Sequence, residues 1–86
     1  MIGEIFMDIG AAVKERILEL CKQRNITINK LSTISGITQS TINNIISGRN
    51  KSTTISTIKK ICDGLVITII DFFNCDLFQD LEQEIK

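Results

Sequence analysis

Four threonines punctuate this chain at the same kind of place. Thr27, Thr38, Thr54 and Thr68 each stand just before a stretch whose apolar residues recur at helical spacing. A hydroxyl in that position accepts from a backbone N–H that the first helical turn leaves unpaired, so each threonine is an N-cap. Stop signals match the starts. Asn25 suits the left-handed conformation that ends a helix. Gly36 is a residue used where a chain turns sharply or packs backbone on backbone, and Gly48 is a natural helix stop. No proline interrupts the pattern. Such a chain folds as a series of short helices.

The apolar spacing fills in those helices. Ile9, Val13, Ile17, Leu20 and Cys21 predict a first helix over about residues 10–24. A short second helix spans 28–35, with Leu31 and Ile34 inward. A third spans 39–47, with Ile42, Ile45 and Ile46 as its buried face. In the fourth, Ile55, Ile58, Ile61, Cys62 and Leu65 face the core. A last short helix contains Ile69, Phe72 and Phe73. Residues 67–70 are β-branched, but the run is short and has no partner strand. Polar residues 49–53 read as a loop.

Eighty-six residues make one domain with a single modest core. The expected layout is an N-terminal extension over 1–9, a domain over 10–75 and an acidic amphipathic tail over 76–86. Ile2, Ile5, Phe6 and Ile9 continue a helical stripe upstream, and Leu77, Phe78, Leu81 and Ile85 make another downstream. The second stripe suggests an extra C-terminal helix. Either stripe offers a surface for a dimer or another protein partner.

Composition removes most chemistry. There is no His, which takes away the commonest metal ligand and the best acid-base group near neutral pH. Cys21, Cys62 and Cys75 are odd in number, widely spaced and without a CxxC pair. They read as small apolar residues in a reducing compartment rather than as zinc ligands or disulfides. No nucleotide loop or carboxylate pair stands out, so the chain is not expected to be an enzyme or to need a cofactor or metal. No apolar run approaches a membrane span, and no secretory signal opens the chain, which places it in the cytoplasm.

The formal net charge is zero, but its distribution is not even. Between residues 20 and 62 there is no Asp or Glu, while Lys22, Arg24, Lys30, Arg49, Lys51, Lys59 and Lys60 all lie there. Acidic residues are confined to the two ends. Affinity for phosphate follows local positive charge, so a basic middle is compatible with nucleic acid.

Residues 31–48 read LSTISGITQSTINNIISG. Two short helices joined this closely cross steeply, and small residues such as Ser32 and Gly36 suit the crossing. A steep crossing makes the second helix project, where it can enter a DNA major groove. Its outer face is Gln39, Ser40, Asn43, Asn44 and Ser47. Asn and Gln pair bidentately with adenine, and Ser bonds several bases. An ordinary surface helix would carry Lys and Glu spaced for ion pairs instead. Lys30, Arg49 and Lys51 put positive charge beside it.

These features resemble the phage-repressor family of helix-turn-helix regulators, the Cro/C1 or xenobiotic-response-element type, over about residues 13–73. The family pattern L-A-x-x-x-G-(V/I)-(S/T)-x-x-(T/S)-I is matched at 31–42. The glycine closing the recognition helix falls on Gly48, and the later L-x-x-L-x-x-I-A-x-x-L falls on Ile55, Ile58, Ile61, Cys62 and Leu65. Three departures stand out: Ser32 for the usual Ala, Ile28 at a position often polar, and Val66 where the family often has Gly. The resemblance carries the fourth helix to residue 65 or 66, past Gly64, where helix propensity alone would end it.

The resemblance implies an all-α, five-helix lambda-repressor-like domain with the helix-turn-helix at helices 2 and 3. It implies a homodimer on palindromic double-stranded DNA, and a sequence-specific regulator, most simply a repressor. Base reading would fall on Gln39, Ser40 and Asn44, with Asn43 or Ser47. Thr38, Thr41, Arg49, Asn50, Lys51 and Thr53 would meet the DNA backbone. The alternative is an interaction module, such as an antitoxin or anti-regulator, that keeps the fold and binds protein.

Overall fold

A computed structural model describes residues 7–49 and 52–85. Five α-helices follow one another: α1 Ile9–Arg24, α2 Ile28–Ser35, α3 Gln39–Ser47, α4 Ile55–Leu65 and α5 Ile69–Phe73. The four threonines are N-caps in fact. Thr27, Thr38, Thr54 and Thr68 accept from the N–H groups of Lys30, Thr41, Thr57 and Asp71. Asp8 does the same for α1 through Ala11. At Thr68 the exchange is mutual, because the Asp71 carboxylate accepts from the Thr68 N–H. The stops are equally regular. Asn25, Gly36 and Gly48 all adopt the left-handed conformation.

The core gathers Val13, Ile17, Leu20 and Cys21 from α1, Leu31 from α2, Ile42 and Ile45 from α3, Ile58, Ile61, Cys62 and Leu65 from α4, and Phe72 from α5. The fourth helix runs through Gly64, as the family resemblance implied. A Cβ on Gly64 would stand 2.6 Å from Ser35 Oγ and 2.9 Å from the Ile34 carbonyl oxygen. Backbone approach between α2 and α4 therefore requires glycine here.

That approach turns α2 away from the expected orientation. Its buried residues are Leu31, Ser32 and Ser35, while Ile34 is 37% exposed. Two helices this close accept small side chains at the crossing, so serine is inside and isoleucine is displaced. Ile55 is also not a core residue, at 69% exposed. It occupies the first position of α4, before the helix has turned onto the core.

Arg16 on α1 closes the other side and is nearly buried. Its Nε and Nη2 donate to the carbonyls of Phe72 and Asp71 at 2.6 and 2.7 Å, and its Nη1 donates to Glu19 at 2.5 Å. A buried guanidinium thus pins the end of α5 to α1, giving partners to carbonyls that a helix end leaves open.

The downstream apolar stripe does not form the extra helix. Residues Asp76–Phe78 make one 3-10 turn. The Phe78 ring meets Phe73 edge to face, with ring centroids 4.7 Å apart. The chain then pairs Leu81 with Met7 in a single parallel bridge, and the Glu82 N–H donates to the Met7 carbonyl at 3.0 Å. Ile2, Ile5 and Phe6 of the upstream stripe lie outside the described residues.

Candidate nucleic-acid interface

The turn between α2 and α3 is braced from both directions. The Gly36 N–H donates to the Thr33 carbonyl at 3.4 Å, and the Ile37 N–H to the Ser32 carbonyl at 3.1 Å. The Ser32 hydroxyl returns a bond to the Ile37 carbonyl at 2.5 Å. A Cβ on Gly36 would meet nothing within 4 Å, and its φ is +66°. The glycine serves the backbone angle, not a close approach.

This turn sets α3 with Ile42 and Ile45 fully buried and Ile46 partly so. The opposite face is Gln39, Ser40, Asn43, Asn44 and Ser47. Gln39, Ser40, Asn43 and Ser47 are exposed, and Asn44 is half-buried. Ser47 is occupied locally. Its hydroxyl donates to the Asn44 carbonyl at 3.2 Å and accepts from the Arg49 N–H at 3.4 Å. It works as a fastening at the end of α3, and base reading would require it to let go.

Gln39 has a partner that the sequence did not suggest. Its Nε2 donates to Oδ1 of Asn29, on the first turn of α2. Asn29 is ten residues away in the chain, and only the crossing of α2 over α3 brings the two amides together. The bond uses one of the two protons on Nε2. The other proton and Oε1 stay available to a base edge.

The expected backbone contacts differ among themselves. Lys30, Thr38 and Arg49 are exposed. Thr38 Oγ1 accepts from the Thr41 N–H at 3.1 Å and donates to Thr41 Oγ1 at 2.9 Å. The Thr41 hydroxyl proton is thereby left to donate outward. The N–H groups of Gln39 and Ser40, in the first turn of α3, have no helical partner and suit a phosphate oxygen. Asn50 and Lys51 lie outside the described residues. Thr53 departs from expectation: its Oγ1 is enclosed and has no hydrogen-bond partner among the described residues. In this conformation that hydroxyl does not face a DNA backbone.

Electrostatics favour an anion on this side. Residues 27–49 contain no carboxylate. Farther along, Lys59 pairs with Asp63 across one turn of α4, and that hydrogen bond holds the Lys59 ammonium above its ordinary pKa. Cys21 and Cys62 are buried free thiols whose pKa values are pushed up by burial. They belong to the core rather than to this face. Among the described residues no helix is long and apolar enough to cross a membrane.

Comparison with known proteins agrees with this geometry. Residues 16–79 match the Cro/C1-type HTH DNA-binding domain. Among solved structures, the chain is similar to the crystal structure of prophage Lp1 protein 11, at 39% identity and a TM-score of 0.77. That likeness covers 88% of this chain and 100% of the other. No curated protein matches the chain.

Proposed function

Because this chain belongs to the family of Cro/C1-type HTH DNA-binding domains, we propose that it is a sequence-specific transcriptional regulator. It inserts α3 into the major groove of a palindromic operator and represses by occupying DNA that another protein must use. The observation that carries this reading is the outer face of α3. It offers neutral donors and acceptors where a merely solvated helix would place ion pairs, and its first residue is held by Asn29.

The chemistry at Gln39 follows from its protons. Oε1 accepts from adenine N6, and the free Nε2 proton goes to N7, while Asn29 fixes the amide plane. Ser40, Asn43 and Asn44 read neighbouring base edges. Lys30, Arg49 and Lys51, the Thr41 hydroxyl and the N-terminal N–H groups of α2 and α3 meet phosphates and set register. Free thiols suit action in a reducing cytoplasm.

The interaction-module reading leaned on the terminal stripes. Of the downstream stripe, Leu77, Phe78 and Leu81 are each partly buried in this chain's own fold, which weakens that support, while Ile85 is 89% exposed. The deciding experiment is selection of bound duplexes from a random pool, followed by titration at several salt concentrations. Enrichment of a short inverted repeat, with affinity falling steeply as salt rises, is the expected result. Failure to retain any duplex at low salt would sink the proposal.

A further inference from the structure

A hollow of about 290 Å³ opens where the start of α1, the segment after α3, the start of α4 and the end of α5 come together. Its apolar wall is Ile9 and Val13 from α1, Ile55 and Ile58 from α4, and Phe73 from α5. Val13 and Ile58 belong to the buried core, whereas Ile55 is 69% exposed. Apolar surface therefore runs from the core out to the rim. Ser52 and Thr53 form the side toward α3, and Glu84, exposed on the C-terminal segment, completes the lining. Among the described residues Glu84 is the one charged group there, and no ion pair engages it.

We propose that this hollow binds a small apolar molecule with one cationic end, such as an arylalkylamine, and that its binding opposes DNA. Size fits a single ring with a short chain, since an apolar cavity of about 150 Å³ already holds benzene. Concave apolar walls with few polar groups are the usual make-up of a small-molecule site. Charge selects the end group. A lone carboxylate beside an apolar wall complements an ammonium and repels an anion.

The opposition to DNA rests on the DNA-binding reading above and on Thr53. Its Oγ1 is enclosed without a partner among the described residues, which is a costly arrangement. The hydroxyl gains a phosphate partner only by leaving that position, and the departure opens one wall of the hollow. A molecule seated in the hollow favours the closed wall. Ser52 and Thr53 also continue the segment that carries Arg49 and Lys51, so holding them restrains the phosphate contacts. By linkage, DNA weakens the small molecule as much as the small molecule weakens DNA.

The test titrates the full chain at neutral pH with phenethylamine, phenethyl alcohol and phenylacetate, followed by methyl NMR. Phenethylamine should shift the methyl signals of Ile9, Ile55 and Ile58 and bind about threefold tighter than the alcohol, the scale of an exposed ion pair. Phenylacetate should bind weakest. Glu84→Gln should keep the alcohol's affinity and lose the preference for the amine. Ile55→Ser should weaken all three probes with an unchanged melting temperature, because Ile55 is not a core residue. No shift with any probe at millimolar concentration would overturn the site. So would equal affinities for amine and alcohol in the wild type, or contacts from residues 1–6 to the Ile55 methyls, which would mean that the chain fills the hollow itself. On the selected duplex, saturating amine should weaken binding severalfold in the wild type and not in Ile55→Ser; an unchanged wild-type affinity would overturn the opposition. A wild type that retains no duplex would bring down the DNA-binding reading and not the hollow, which the titrations without DNA decide.

Discussion

Replacing Gly64 by alanine opposes two effects whose signs differ. Within a helix, Gly→Ala raises stability by about 1 kcal/mol through backbone propensity. Gly64 sits inside α4, so propensity alone expects a more stable protein. The structure expects the reverse. The new Cβ would stand 2.6 Å from Ser35 Oγ, 2.9 Å from the Ile34 carbonyl oxygen and 3.0 Å from its carbon. The hydroxyl can rotate aside, but the carbonyl belongs to α2 and moves only with that helix. Overpacking of this kind costs about 1–3 kcal/mol, and more where backbone must shift. The net is a loss of up to about 2 kcal/mol, at roughly 4–8 °C per kcal/mol in a domain of this size. Thermal and urea unfolding followed by circular dichroism read it directly. In a Ser35→Ala background the loss should shrink without vanishing, because only one of the close neighbours is a side-chain atom. A Gly64→Ala protein that melts above wild type would refute the close approach of α2 and α4.

Two further outcomes follow from the site and the core. Asn44→Ala should cost about 1–3 kcal/mol on the selected duplex and relax one base preference, whereas Arg49→Ala should weaken all duplexes alike and lower the salt slope by about 1; competition titrations against single-base variants distinguish the two, and undiminished selectivity in Asn44→Ala would remove it from the reading face. Burial raises the thiol pKa of Cys21, and burial followed by the Asp63 charge raises that of Cys62. An acid whose folded pKa is raised contributes stability that is full below its unfolded value, near 8.5, and is lost as pH climbs toward the folded value. The chain has no Tyr to titrate alongside. Melting temperature should therefore fall from about pH 8.5 to 10, and a Cys21→Ala, Cys62→Ala protein that falls just as steeply would argue against the thiols.

What could be read from the sequence was local. A cap is a side chain bonded to backbone three residues away, and a left-handed stop is one residue's own conformation. Thr27, Thr38, Thr54, Asn25 and Gly48 were legible for that reason. The outer face of α3 was legible because a helix has a fixed period. What escaped depends on how helices meet. Ile34 looked inward by spacing, yet the approach of α2 to α4 at Gly64 favours Ser35. Arg16 answers carbonyls at 71 and 72, which are more than fifty residues away and cannot be read from the spacing of α1 alone. Asn29 joins the site only because the two helices cross. Asn29, a polar residue ten positions before Gln39 on the first turn of the preceding helix, was the available signal, and it carries meaning only once the crossing angle is known. Thr53 was assigned by alignment with the family pattern, which does not say which way a hydroxyl turns.

The composition of α3 follows from where its stability comes from. Nine residues are too few for a helix to stand alone, and Asn and Ser are poor formers. Across the five outer residues the propensity deficit relative to alanine is at most about 3 kcal/mol. Ile42 and Ile45 are completely buried, and each such side chain contributes about 1.5–3 kcal/mol. The Thr38 cap adds about 1 kcal/mol more. The inner face and the two ends therefore hold the helix without help from the outer face. Residues that would be a poor choice for stability are affordable there, and they are the ones with donors and acceptors for base edges. The same division explains Gln39. It stands at the start of α3, where it belongs to neither the core nor the cap. Its orientation has to come from another helix, and Asn29 supplies it. Substitution along this face should thus alter which sequence is read while leaving the fold in place, whereas substitution of Ile42 or Ile45 should lose both.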